Sequence, residues 1–330
     1  LMRPARRVRA YADAARDEPV KDEFFTPHVW SWHGTMTACV AAGNGYVSGG
    51  RYRGLASEAE VVLIKASIDD GRILGKHVAH AIRFPLRQPQ LGIRILNVSL
   101  GVMDNDPDRA DVERAVKEVV AAGITVFAAA GNNPGAVPSA PGSAAEAITC
   151  GGADDKGTED PSDDRPWPSS FGTTSAGVDK PDLLAPAIWV PAPMLPGTLT
   201  AREAAPLFQV LSVLEEASAE YGFSESRQVA SPEERASVQA VIDAVGARIA
   251  RCKYISPDYQ HVDGTSFASP IAASVGAQML EANPALTPAL IREGLLSTAS
   301  RLPDVDAKQQ GAGMLRARAA AEWAAAIKLA

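Results

Sequence analysis

Between Glu60 and Gly131 short β-rich runs alternate with helical ones, and that alternation restricts the chain to a parallel sheet whose crossovers are helices. Val61-Val62-Leu63-Ile64-Lys65-Ala66 reads as a continuous apolar strand, residues 74–84 as a helix, and Ile93 to Leu100 as the next strand. Asp106-Pro107 offers an acidic N-cap and a proline at the first position of a helix that runs to Ala122 and stops at Gly123. Ile124 to Ala130 is the third strand. The class is α/β, and in such sheets reactive groups gather outside the carboxyl ends of the strands. Ser99-Leu100-Gly101 and Gly131-Asn132 both occupy that position.

Three short segments carry chemistry. In His261-Val262-Asp263-Gly264-Thr265-Ser266-Phe267-Ala268-Ser269-Pro270, a serine follows two turn-forming residues and precedes a long apolar helical run. A serine there has a backbone N–H with no intrahelical partner, so a residue that attacks a carbonyl also helps to hold the oxyanion it creates. Taken alone, Gly-Thr-Ser is an ordinary helix cap. Pro270 is read in the first turn, where the N–H it lacks has no partner to lose. Ser31-Trp32-His33-Gly34-Thr35 places an imidazole at the head of the small-residue helix Ala38 to Gly43, although a lone histidine is usually a surface or cap residue. Ala128-Ala129-Ala130-Gly131-Asn132 ends an apolar strand on a carboxamide donor. On its own, an asparagine after glycine at a strand end is a turn residue, and Asn133 follows directly.

Together and in this order, these segments resemble the subtilisin-like serine proteases (subtilases, peptidase family S8) over about residues 31–300. The resemblance implies a three-layer α/β fold with a parallel sheet, a single domain over residues 1–330, and a serine endopeptidase that works through an acyl-enzyme. It implies Ser266 as nucleophile, His33 as general base and Asn132, rather than Asn133, as the oxyanion donor. Ser99, Leu100, Gly101 and Ala129, Ala130, Gly131 then become the two edges between which the substrate lies as an added strand. Two positions depart from the family pattern: Trp32 replaces a small residue and narrows the approach to the site, and Met36 stands where many relatives have a second histidine. His28, His77, His80 and His261 are read as structural or solvent-facing.

The acid of the triad is the missing part. A subtilase carries it on an apolar strand ahead of the histidine, ending in Asp-Ser-Gly or Asp-Thr-Gly. Arg7 to Asp13 instead reads as an alternating, half-exposed strand that resembles the family's segment downstream of that acid. The sequence therefore leads to the expectation that the Asp-bearing strand is encoded upstream of Leu1, with Asp13, and less so Asp17 or Asp22, as a substitute. A catalytically impaired, subtilase-like binding or regulatory protein is the competing reading. It explains the absent Asp but not the retention of serine, histidine and asparagine together.

Past Cys150 the chain is turn-rich, and Ser169-Ser170-Phe171-Gly172 and Lys180 to Pro186 resemble the segments that lead toward the serine. Residues 191–256 are longer than the family's usual connection and read as an inserted helical hairpin. Its second helix opens on the capping box Ser231-Pro232-Glu233-Glu234, with Val238, Val241, Ile242 and Val245 at helical spacing. The hairpin is either a stabilising decoration or a lid that shapes the cleft. Thr287-Pro288 caps a later helix with Leu290, Ile291, Leu295 and Leu296 inward, and an alanine-rich helix begins at about Met314.

Composition excludes several classes. With 39 Asp+Glu against 32 Lys+Arg and no basic block, nucleic acid is not an expected partner; polypeptide substrates are. The longest apolar stretch, Val119 to Ala130, is broken by Gly123 and too short to span a bilayer, so no membrane span is expected. Cys39, Cys150 and Cys252 lack metal-ligand spacing, and no cofactor or metal is required. The resemblance allows a structural calcium, with Asp160 to Asp164 as its weak candidate. Leu1-Met2-Arg3-Pro4 is not a signal peptide, and only the resemblance suggests a secreted or extracytoplasmic location.

Overall fold

The structure is a computed structural model that describes residues 7–16, 28–222 and 231–328. Its contacts divide the chain into two units. Of the described residues, the first holds 7–16, 37–190 and 262–328; the second holds 28–36, 191–222 and 231–261.

In the first unit, β1 (Val8–Asp13) pairs in parallel with β2 (Val61–Lys65). A separate ladder runs β3 (Ile95–Val98), β4 (Thr125–Ala129), β5 (Ile148–Asp154), all parallel, and β6 (Leu183–Pro186) pairs with β5 in parallel as well. The central strand β4 is fully buried because both of its faces are covered. Val126 and Ala128 pack with Val78, Ala79 and Ile82 of α2 (Gly75–Ile82) and Val112, Val116 and Val119 of α3 (Arg109–Ala121). Phe127, on the opposite side as the period of two requires, packs with Ala268, Ala272 and Val275 of α6 (Thr265–Ala282). Burial of Phe127 alone contributes about 2–3 kcal/mol. Gly276 lets α6 approach, since a Cβ there would lie 2.8 Å from the Phe127 ring. Behind α6 sit α7 (Pro288–Thr298) and α8 (Ala317–Ala326), which complete that layer.

Local chemistry explains most boundaries. The Thr287 hydroxyl accepts from Leu290 N, as its position ahead of Pro288 implies; Ile291 and Leu295 are buried, Leu290 and Leu296 partly so. Two boundaries differ from the sequence reading. The N-cap of α3 is Asp108, because Asp106 is occupied in a turn that accepts from Asp108 N at 2.8 Å. The last helix begins at Ala317 rather than Met314, because Met314 is bridged by backbone hydrogen bonds to Ser300.

The second unit contains the inserted hairpin, α4 (Leu199–Gly222) and α5 (Pro232–Arg251), and a three-stranded sheet. That sheet has the order β7 (Val190–Pro193), β9 (Tyr259–Val262), β8 (Tyr254–Ser256). The capping box of α5 is complete: Ser231 Oγ accepts from Glu234 N at 3.2 Å and Glu234 Oε2 from Ser231 N at 2.6 Å. Glu203 joins the helices, accepting from Arg248 Nε at 2.7 Å and from the Tyr254 hydroxyl at 2.9 Å. Val241 faces outward despite its spacing, because two helices and a small sheet cover only one side of α5. The segment that carries His33 opens α1 (Trp32–Ala42), whose residues 32–36 belong to this unit.

Candidate active site

The serine segment is built by its neighbours in the chain. Gly264 has φ +132°, a conformation glycine alone adopts without strain, and its N–H donates to Ala187 O at 2.7 Å. Thr265 follows as the first residue of α6. Its N–H donates to Asn132 Oδ1 at 3.0 Å, its hydroxyl donates to the same oxygen at 2.9 Å, and that hydroxyl accepts from Gly131 N at 3.0 Å. The carboxamide of Asn132 is thus held by its oxygen, which leaves the Nδ2 end for an external acceptor. Asn133 is committed differently: Oδ1 accepts from Gly135 N at 3.0 Å and its own N–H donates to Ser170 Oγ at 3.2 Å. Of the two asparagines, Asn132 is the one tied to the serine helix.

Pro270 is not in the first turn. It is the sixth residue of α6, where the missing N–H would have bonded the carbonyl of Ser266. That carbonyl accepts instead from Ser99 Oγ at 2.8 Å. Ser99 in turn accepts from Asn97 Nδ2 at 2.9 Å, and Asn97 Oδ1 accepts from Ser269 Oγ at 2.7 Å. A side-chain relay on the end of β3 therefore substitutes for one helical hydrogen bond and seats the turn that carries Ser266. The Ser266 hydroxyl lies 3.4 Å from Ser99 O. Nothing in the sequence assigns Ser99 a hydroxyl role; the proline four residues beyond Ser266 is the signal that a carbonyl needs a new donor.

The two expected substrate edges differ in how much backbone they offer. Ser99 is buried, Leu100 half-buried and Gly101 exposed. On the other side Ala129 and Ala130 are buried and Gly131 half-buried. Ala130 N donates to Cys150 O at 3.0 Å, and Gly131 O accepts from Ser170 N at 2.9 Å.

His33 is carried by the second unit, next to Trp32, whose ring stands edge-on to the imidazole with centroids 5.4 Å apart. Burial pushes the His33 pKa below its ordinary 6.5, which keeps the ring neutral at pH 7.

Asp13 ends β1 with its side chain fully buried; Oδ1 accepts from Ala15 N at 2.8 Å and Oδ2 lies 3.2 Å from Lys65 Nζ. Asp17 and Asp22 lie outside the described residues. Among the described residues no ladder joins the β1–β2 pair to β3, and every residue of β2 and β3 is half-exposed, unlike β4. The Asp160–Asp164 segment does not fit a calcium site. Asp164 is buried against Arg316, Asp163 accepts from the Thr158 hydroxyl, and Asp160 from Ser162 N. Among the described residues no three His, Cys, Asp or Glu side chains gather as metal ligands, and no helix is long and apolar enough to cross a membrane. The cysteines are unbridged, and burial pushes the Cys39 thiol up to about 11 and Cys150 higher still, so neither is a nucleophile at neutral pH.

One feature escaped the sequence reading. Lys180 is fully buried, its Nζ donating to Ala147 O at 2.6 Å and Asp182 Oδ2 at 2.8 Å. Asp182 also accepts from Thr149 N at 2.7 Å and pairs with Arg292 of α7. This cluster fixes β5, the strand beside β4, and the start of β6, its next neighbour, to α7.

Comparison with known structures defines the class. The prenylagaramide maturation protease PagA superposes with a TM-score of 0.59 at 17% identity, over 95% of this chain and 92% of that one. Fervidolysin from Fervidobacterium pennivorans, a keratinolytic enzyme related to subtilisin, superposes at 0.60 and 18% identity, over 96% and 39%. A cold-adapted subtilisin-like serine proteinase gives 0.54 at 19%, over 89% and 76%. The fold is that of the subtilisin-like proteins. The Subtilase family profile matches residues 5–313, and the chain belongs to that family. Serine protease AprX of Bacillus subtilis (strain 168) is 29% identical over 301 residues, which make up 88% of this chain and 58% of AprX.

Proposed function

We propose that this subtilase is a serine endopeptidase with Ser266 as nucleophile. The Ser266 hydroxyl attacks the peptide carbonyl while His33 takes its proton, and the carbonyl oxygen becomes an oxyanion that Asn132 Nδ2 and the Ser266 N–H stabilise. As the C–N bond breaks, His33 returns the proton to the amine; water then hydrolyses the ester by the same route. The observation that carries this reading is the clamp on Asn132 Oδ1 by Thr265, which fixes a donor beside the serine without using its N–H groups. The lowered pKa of His33 supports its role as base.

The acid that orients His33 is proposed to enter on an apolar strand that pairs beside β3 and joins the two ladders. The half-exposed apolar residues Val61, Val62, Leu63 and Ile64 of β2 and Ile95, Leu96 and Val98 of β3 support this, because parallel strands of such composition are normally covered on both sides. Asp13 is already engaged by Lys65 and Ala15. The test is peptide hydrolysis by residues 1–330 with and without an added strand ending in Asp. The expected result is a gain of about 10⁴ on adding the strand and little change for Asp13→Asn. Full activity without the strand, abolished by Asp13→Asn, would assign the acid to Asp13. Absence of hydrolysis with the strand present would favour a non-catalytic binding protein.

A further inference from the structure

The two helices of the inserted hairpin share one face, which an ion pair marks. Glu203 of α4 accepts from Arg248 of α5 across the hairpin, so both residues look the same way. Val210 lies seven residues, about two turns, beyond Glu203, and Val241 lies seven residues before Arg248; in an antiparallel pair both steps lead toward the tip. Val210 and Val241 therefore stand side by side on that face. At its base the Tyr254 hydroxyl of β8 donates to Glu203. Further along, Val210 is 45% exposed, Val213 59% and Val241 48%, with Ala244 exposed beside them.

The apolar surface of α4 exceeds what the rest of the unit covers. Ala204, Leu207, Leu211 and Leu214, spaced three and four apart, form its buried or half-buried side, and Val210 and Val213 extend the apolar arc onto the open face. Single apolar residues on a surface are ordinary, but a patch that continues across two helices marks an interaction site. The charges of α5 say what fits it. Glu233 in the first turn and Arg251 in the last are both exposed and stand 18 residues, about five full turns, apart, so they lie on one line along the helix with Ala240 and Ala244 between them. The midpoint of that line is residue 242, next to Val241. A twofold axis through this point, perpendicular to the helix, sets each Glu233 against Arg251 of a second α5 and brings the two copies of Val241 together.

We propose that the hairpin is a homodimerisation surface, on which two copies of this chain stack antiparallel, hairpin on hairpin, as a four-helix bundle. The 20 residues of α5 make the face about 30 Å long and two helices make it about 20 Å wide, so the contact buries about 600 Å² per chain and about 1,200 Å² in all. That area lies at the lower end of specific interfaces and corresponds to a Kd of about micromolar. No residue of the candidate active site takes part, so the dimer stands or falls independently of the catalytic reading.

Sedimentation velocity on Ser266→Ala protein, residues 1–330, from about 0.1 to 100 μM tests the proposal. The expected result is a concentration-dependent shift from one chain to two. Val210→Glu with Val241→Glu puts like charges beside the twofold axis and is expected to weaken the dimer about 100-fold or more, with unchanged helical circular dichroism because both side chains are exposed. Glu233→Arg alone and Arg251→Glu alone each set like charges against one another and are expected to weaken it about 10-fold at low salt. An equimolar mixture of these two variants is expected to regain the parental affinity as a heterodimer, because every pair is then complementary again. A single chain at every concentration overturns the proposal, and so does a dimer that Val210→Glu with Val241→Glu leaves intact. Two weakened charge variants whose mixture stays weak overturn the antiparallel register.

Discussion

Removing the Ser99 hydroxyl tests the link between Pro270 and the nucleophile turn. In Ser99→Ala the carbonyl of Ser266 loses its donor at 2.8 Å, and Asn97 Nδ2 loses its acceptor at 2.9 Å. Ser99 is 9% exposed, so water replaces these contacts poorly, and each orphaned group costs about 1–3 kcal/mol. Pro270→Ala supplies the N–H that a regular helix would aim at the Ser266 carbonyl, so Ser99→Ala in that background costs only the Asn97 part. The double-mutant cycle is therefore expected to show a coupling of about 1–2 kcal/mol. The entropic effect of the proline on the unfolded chain occurs in both arms and cancels. Urea unfolding followed by tryptophan fluorescence measures all four proteins, in a Ser266→Ala background so that none digests itself. Additivity within about 0.5 kcal/mol would refute the relay.

Other consequences follow from the same geometry. Asn132→Ala is expected to lower kcat by about 10²–10³ with little change in KM, the size known for the equivalent donor of subtilisin, whereas Asn133→Ala affects chiefly its own turn; steady-state kinetics on a peptide substrate distinguishes the two. The acidic limb of kcat/KM is expected below pH 6.5 in residues 1–330, because burial favours neutral His33 and only the neutral ring takes a proton; a strand bearing Asp stabilises the cation and moves the limb upward. A limb that stays in place on adding the strand would deny the Asp a contact with His33. Lys180→Met removes one donor each from Ala147 O and Asp182, which keep Arg292 and Thr149 N, and is expected to cost about 1–3 kcal/mol by urea unfolding, while Arg318→Ala, an exposed helical pair with Glu322, changes stability by less than about 0.5 kcal/mol.

What could be read in the sequence followed range. The runs at 61–66, 93–100 and 124–130 and the capping box at Ser231 depend on neighbours a few residues apart, and they folded as their spacing implied. The Gly-Thr-Ser and His-Gly-Thr segments identified the family because their chemistry fixes residue types in short order. The supports of the site depend on partners far apart in the chain. Ser99 meets Ser266 across 167 positions, and the Asn132 clamp on Thr265 spans 133. Lys180 is charged and reads as a surface residue until Ala147 O and Asp182 close over it. Pro270 misled for a simpler reason: the helix starts at Thr265, so the proline falls one turn deeper than an N-terminal proline should.

The central claim is that Ser266 is an activated nucleophile beside a fixed oxyanion donor, and a fluorophosphonate tests it without knowledge of the natural substrate. The activated serine oxygen attacks the reagent's phosphorus, its proton passes to the base and fluoride leaves, while the reagent's phosphoryl oxygen is held by the oxyanion donors. With the Asp-bearing strand supplied, peptide mapping is expected to find one adduct, on Ser266, formed about 10²–10³ times more slowly in Asn132→Ala and absent in Ser266→Ala. No adduct on Ser266, or an adduct on another serine that persists in Ser266→Ala, would contradict the claim.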